Sequence, residues 1–190
     1  LFEDLAIMRV LPNMTIHSIT DNYMARKIAE ESVEMNTPNY VRLERHVETD
    51  IYSAESNLSE GINELKKGTD GYIISTSIMV RQALSISEKL EDKKISLGVI
   101  DIHRIPFNEN AFIDLVKDAP LITTEENFLQ GSLGSCILEV LSDNGLKNNV
   151  KRFGVSNGWV YRYGGRNDNR AYHGIDEETL LSKIENYVLN

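Results

Sequence analysis

The stretch Ile95-Ser96-Leu97-Gly98-Val99-Ile100-Asp101-Ile102 decides the fold. A near-continuous apolar run of this length reads as a strand buried on both faces, the habit of a central strand in a parallel sheet covered by helices. Upstream, Tyr72-Ile73-Ile74-Ser75-Thr76 reads as a second strand of the same kind. Between the two, residues 78–90 carry Val80, Ala83, Leu84, Ser87 and Leu90 at helical spacing. Downstream the pattern continues with a short helix over 108–116, a strand over 120–124 and a helix over 133–141. A strand over 150–155 follows, and a terminal helix runs from Asp176 to Val188. Strands alternating with helices imply parallel pairing through crossover connections, so the back of the chain is an α/β unit.

The front is shorter. Leu5, Ile7, Met8 and Leu11 define a helix over 3–11 with Glu3 and Asp4 at its start, where the helix dipole favours acids. Pro12 and Asn13 end it. Met14 to Ile19 reads as a strand, Thr20 or Asp21 caps a helix over 22–35, and Tyr40 to Leu43 reads as a strand leading into Glu44-Arg45-His46. Residues 47–69 are polar, acidic and without period, and they end in the turn-rich Lys66-Lys67-Gly68-Thr69-Asp70-Gly71. They are expected to be a linker between a front unit, 1–46, and a back unit, 70–190.

Charge excludes some classes of function. With 20 Lys+Arg against 29 Asp+Glu, the net charge is −9, which speaks against a nucleic-acid surface or an anionic-membrane anchor, since both need clustered positive charge. One cysteine excludes an internal disulfide framework and a cysteine-built metal site. No apolar run reaches the roughly 20 residues of a membrane span, and the start shows no signal-type segment. A soluble cytoplasmic protein is expected. The first residue is Leu1, so a processed or truncated piece is expected too.

Few motifs carry chemistry. Gln130-Gly131-Ser132-Leu133-Gly134-Ser135 opens a helix after a strand, the setting of an anion-cradling loop, but its glycine spacing fits no phosphate motif. Close packing of the helix start is the better reading of Gly131 and Gly134. Glu125 and Glu126 stand at a strand's carboxyl end and point to opposite sides, so they are no acid/base pair. One of them is expected to bond a neighbouring backbone or subunit. His17, His46, His103 and His173 are dispersed without metal-ligand spacing, and Cys136 reads as a buried inert thiol. Arg42, Arg45 and His46 form a cationic cluster at a strand end, with Arg9 one helix away. The guanidinium fork suits phosphate. On residue chemistry alone, Arg9 pairing with acids of its own helix and Arg45 with Glu48 is the stronger reading.

The order of these segments resembles a known family. Residues 3–14, Asp21 with Ala25-Arg26, and Pro38 to Arg45 resemble the second half of the pyrimidine-binding domain of transketolases. Residues 70–76, Ile100-Asp101-Ile102 with Ile105-Pro106-Phe107-Asn108, Thr123 to Asn127, Gly131 to Ser135 and Gly174-Ile175-Asp176 resemble their carboxyl-terminal domain. The first block is also similar to deoxyxylulose-phosphate synthases, and the second to the β subunits of 2-oxo acid dehydrogenases.

The resemblance implies a partial pyrimidine-binding α/β domain followed by a transketolase-type domain with a mostly parallel sheet flanked by helices. It implies part of a thiamine-diphosphate- and magnesium-dependent enzyme that moves two-carbon ketol units between sugar phosphates. The family's Gly-Asp-Gly magnesium motif and its activating glutamate are absent from these residues. The chain alone is therefore expected to be inactive and to bind no cofactor, with no catalytic, cofactor-binding or metal residue of its own. A homodimer, or a partner carrying the missing domains, is implied. Arg45 matches the family's sugar-phosphate arginine and Arg9 a second one used by the synthases, with His46 beside Arg45. The alternatives are the tail of a deoxyxylulose-phosphate synthase and a non-catalytic assembly module.

Overall fold

The computed structural model describes residues 2–44, 49–156, 158 and 163–189. The front holds α1 (Asp4–Arg9), β1 (Thr15–Ser18), α2 (Asn22–Ser32) and β2 (Asn39–Arg42). Asp21 caps α2 by accepting from the Met24 amide at 2.8 Å, the role its position suggested. The remaining elements are β3 (Ile62–Lys66), β4 (Gly71–Ser75), α3 (Met79–Glu91), β5 (Leu97–Ile102), β6 (Arg104–Ile105), α4 (Glu109–Val116), β7 (Leu121–Phe128), α5 (Leu133–Asp143), β8 (Val150–Val155), α6 (Arg166–His173) and α7 (Glu177–Leu189).

Five strands form one sheet in the order β3-β5-β4-β7-β8. The run β5-β4-β7-β8 is parallel, as the alternation of elements required, and β3 joins its edge antiparallel to β5. Ile73, Val99 and Ile122 pack against Ala83, Ile86 and Leu90 of α3 and against Leu180 and Ile184 of α7. Ile74, Ile100 and Leu121 belong to a second cluster with Phe112 of α4 and Ile137 and Leu141 of α5. Both faces of the sheet are thus covered, which is why the strand around Val99 and Ile100 is apolar throughout.

The expected linker is more than a connection. Residues 62–66 within it form β3, and Tyr52 and Leu58 complete a buried cluster with Ile19, Met24 and Ile28 around α2. Only Ile62 of β3 is fully buried, so the strand carries no apolar alternation to read. The strand expected over 120–124 continues to Phe128, with a slip in its register against β8 between Thr124 and Phe128.

The front does not stand apart. Its β1 pairs parallel with β2 and antiparallel with β6, giving a small sheet in the order β2-β1-β6. Leu5 and Ile16 are buried in the same cluster as Phe112 and Ile137, and burying each such side chain contributes about 1.5–3 kcal/mol. Within this sheet β2 is an edge strand. Ile7, Val10, Leu11, Val33, Val41 and Leu43, all in the front, are exposed.

Candidate functional site

Two parallel strands from different sheets deliver their carboxyl ends to one cleft, where open α/β sheets place ligands. β2 brings Tyr40 and Arg42, and the residues just after it Glu44; β7 brings Glu126; the far wall is α6. The cavity has a volume of about 620 Å³ and is also lined by Phe2, Asp4, Arg166, Arg170 and His173.

Its polar groups form a connected network. Arg42 donates from Nε to Asp4 at 2.8 Å, from Nη1 to Ser18 at 3.2 Å and from Nη2 to Asn127 at 3.1 Å. Asn127 in turn donates to Asp4 at 2.8 Å and to the Phe2 carbonyl at 3.2 Å, and the Tyr40 hydroxyl donates to Asp4 at 3.1 Å. Every face of the Arg42 guanidinium is engaged, so this residue braces the front against β7 rather than presenting a free cation. On the other wall Arg166 pairs with Glu44 and Glu126, and Arg170 pairs with Glu126. Among the described residues three arginines meet three carboxylates in the cleft. His173 packs edge-on against Phe2 with ring centres 5.7 Å apart, and burial lowers its pKa, favouring the neutral ring.

The sequence-derived candidates separate. Arg45 and His46 lie outside the described residues, and Glu44, held by Arg166, directly precedes them. Arg9 lies in a different cleft, of about 560 Å³, between α1, β1, β6 and α5. Its guanidinium donates to the carbonyls of Gly131 at 2.6 Å and Ser132 at 3.3 Å and pairs with Glu139 of α5, not with acids of its own helix. Arg9 and Arg42 are therefore not brought together. Arg166 and Arg170 escaped the sequence reading because α6 buries no residue; their spacing of four, Asp168 in the first turn and Gly174 just past the end were the available signals.

The two glutamates diverge as expected. Glu126 faces the α6 arginines. Glu125 is buried and accepts from the amides of Leu133 and Gly134, each at 2.9 Å, at the start of α5. Gly131 and Gly134 serve packing: a Cβ on Gly134 would lie 2.6 Å from Arg152 Cδ, and one on Gly131, whose φ is +77°, 3.0 Å from Ala6 Cβ. Cys136 is buried, and its thiol is pushed up to about 11 by burial, which makes it inert.

A diphosphate and its cation need free backbone amides and converging oxygen ligands. The helix start behind the glycine loop is filled by Glu125, and among the described residues no three His, Cys, Asp or Glu side chains converge on a metal position. The described residues thus present no ready cradle for a diphosphate and its cation. Among the described residues no helix is long and apolar enough to cross a membrane.

Known proteins share this architecture. The family described as "Transketolase, C-terminal domain" matches residues 61–180, which includes β3. A protein named as a transketolase C-terminal section from Methanocaldococcus jannaschii is 32% identical over 186 residues, 96% of this chain and 58% of its own length. A 1-deoxy-D-xylulose-5-phosphate synthase of Geobacter sulfurreducens is 29% identical over 188 residues, 95% of this chain and 30% of its own. The chain thus spans little more than half of one curated relative and under a third of the other. A solved structure titled "Split gene transketolase, inactive beta4 tetramer" superposes with a TM-score of 0.89 at 28% identity, covering 99% of this chain and 62% of that one. With a family match over most of its length and the expected sheet beneath it, the chain belongs to the transketolase C-terminal domain family.

Proposed function

We propose that this chain is the carboxyl-terminal part of a thiamine-diphosphate-dependent transketolase that transfers two-carbon ketol units between sugar phosphates in the cytoplasm. The observation that carries the reading is the braced end of β2. Arg42 and Glu44 are locked by Asp4, Asn127 and Arg166, directly before Arg45 in the sequence. Rigid support of this kind is what a phosphate-binding arginine needs in order to orient a substrate. Arg45, which follows Glu44 in sequence with His46 next after it, then takes the sugar phosphate, while Arg9, in its separate cleft and held by Glu139 and two carbonyls, makes no contact there.

The cofactor and its magnesium are supplied by a partner chain or by domains outside these residues. The open edge of β2 and the exposed Val10, Val33 and Leu43 supply apolar surface for such a partner, in an assembly of two-fold symmetry. Mixing the chain with the partner that carries the missing domains should give ketol transfer from a ketose phosphate to an aldose phosphate. The chain alone should give none. Turnover by the chain alone, or micromolar thiamine diphosphate binding to it, would refute the reading.

A second reading, the tail of a deoxyxylulose-phosphate synthase, is favoured by the relative that aligns over 95% of the chain. The same mixture offered pyruvate and an aldehyde phosphate separates the two.

A further inference from the structure

We propose that Asp101 is a proton-operated latch that fastens the front of the chain to the five-stranded sheet. Asp101 stands on β5 and is fully buried. Its Oδ2 accepts from the Thr20 hydroxyl at 2.6 Å and from the Tyr52 hydroxyl at 2.8 Å. Thr20 follows β1 in the front, and Tyr52 lies in the segment that joins front and back. One oxygen therefore ties three separate stretches of chain. The other oxygen, Oδ1, is buried with no hydrogen-bond partner among the described residues.

Among the described residues no cation offsets this carboxyl. From the start of α2 it faces Asp21, whose own carboxylate takes the amides of Met24, Ile51 and Tyr52. The joining segment contributes Asp50, which pairs with Arg26. On β3, Asn63 is the register partner of Asp101 and Glu64 accepts from Tyr72, while on β4 Ser75 donates to the Thr124 carbonyl. Beyond the end of β5, Arg104 reaches away to the Ser59 carbonyl. His103 is held neutral, its pKa pushed down to about 3 by burial. Its Nε2 meets Asn63 Oδ1 at 2.9 Å, and its ring packs edge-on against Tyr52.

A carboxylate taken out of water with no cation beside it favours its neutral form, and burial pushes the Asp101 pKa up to about 7. A proton on Oδ1 leaves Oδ2 free to accept both hydroxyls, so the neutral acid keeps every bond of the latch while removing the buried charge. When pH rises through about 7 the charge returns, and the seam between front and sheet opens more readily. The sign follows from proton counting. The closed seam holds a proton that the open one, with an ordinary carboxyl near 4, releases, so opening grows with pH and levels off above the folded pKa.

Amide exchange of the full chain, corrected for the intrinsic rate, tests this. Between pH 6 and pH 8 opening at residues 50–53 should rise about tenfold, and less at residues 15–20, where release of the buried neutral His17 works against it, while the α3 amides do not follow. In Asp101→Asn, which keeps the shape and loses the proton, the rise should vanish. Glu125→Gln should retain it. No rise in the parent chain, a rise that survives in Asp101→Asn, or one lost in Glu125→Gln overturns the proposal. Should Asp101→Asn fail to fold, carboxyl carbon NMR of the parent chain decides. An Asp101 midpoint near 7 supports the latch and one below about 5 overturns it.

Discussion

Glu125 Oε1 lies 2.9 Å from the Gly134 amide, and its second oxygen lies the same distance from the Leu133 amide. The chain has filled its own helix N-terminus with an internal carboxylate, at the place where a phosphate would otherwise sit. Glu125→Ala should lower the unfolding free energy by about 1–3 kcal/mol, the cost of leaving buried donors without partners. Glu125→Gln, with one acceptor kept, should lose less. Urea titrations check both. Inorganic phosphate should raise the midpoint of Glu125→Ala and leave the parent unchanged.

Gly134→Ala tests the packing beside that cap. The added methyl would meet Arg152 Cδ at 2.6 Å and Thr123 Oγ1 at 2.8 Å, distances real side chains do not tolerate. Overpacking of this kind costs about 1–3 kcal/mol. Gly145→Ala meets no neighbour within 4 Å, yet its φ of +71° makes it costly through backbone strain instead. The two variants should therefore differ in thermal midpoint for separable reasons, with Gly134→Ala also shifting the near-ultraviolet signal of the core.

Opposed titrations flatten the pH dependence of global stability. Asp101 and Glu125, both raised to about 7 by burial, bind protons more tightly in the folded state, so their share of stability falls as pH rises from about 4 to 7. His17 and His103, both lowered by burial, act in the opposite sense: their share is full above about 6.5 and is lost as pH falls below it. The parent chain should melt at nearly constant temperature between pH 5 and 6.5. Asp101→Asn removes one acid from this balance, so its melting temperature should climb with pH across the same range. Calorimetric scans at three pH values suffice.

Arg42→Ala should release the front while sparing the back. It removes a charge-assisted contact to Asp4 and bonds to Ser18 and Asn127, with both ionic side chains only 10–14% exposed. A loss of about 1.5–3 kcal/mol is expected. Amide exchange should localise it to residues 15–18, with β4 and β5 still protected. Uniform loss over the whole chain would mean that front and back unfold as one.

For the proposed transferase, Arg45→Ala in the reconstituted enzyme should raise KM for phosphorylated substrates about ten- to a hundredfold, the worth of one charge-assisted contact. Unphosphorylated sugars should be spared. Arg9→Ala, in the separate cleft where it pairs with Glu139, should leave KM unchanged. Equal losses on both substrate types would assign Arg45 to a structural ion pair.

The central strands and their helices were legible because Ile73, Ile74, Val99 and Ile100 are buried on both faces, and a buried strand has to be apolar along its whole length. The cap of α2, read as Thr20 or Asp21 and found at Asp21, was legible for a local reason too, since a side chain bonding an amide three residues on needs no distant partner. What escaped depends on partners far away in sequence. β3 is recognisable only once β5 is beside it. α6 is held by Glu44 and Glu126, 122 and 44 residues from their arginines. Arg42 was seen as a cation but not as a brace, because Asp4 and Asn127 are 38 and 85 residues distant.

The same brace has a kinetic consequence. Asn127 reaches back across 125 residues to the Phe2 carbonyl, and β1 pairs with a strand that begins at Arg104. On the ribosome the residues of α1 and β1 leave the exit tunnel well before these partners exist. Loop closure over such separations is slow, and domains otherwise tend to fold in the order of their synthesis. Here that order is reversed: β4, α3, β5 and β7 must settle first, and the front waits, its apolar residues uncovered, until β6 and Asn127 arrive to receive it. Chaperone demand should therefore fall on α1, β1, α2 and β2, and a ribosome paused just before β6 should expose them longest.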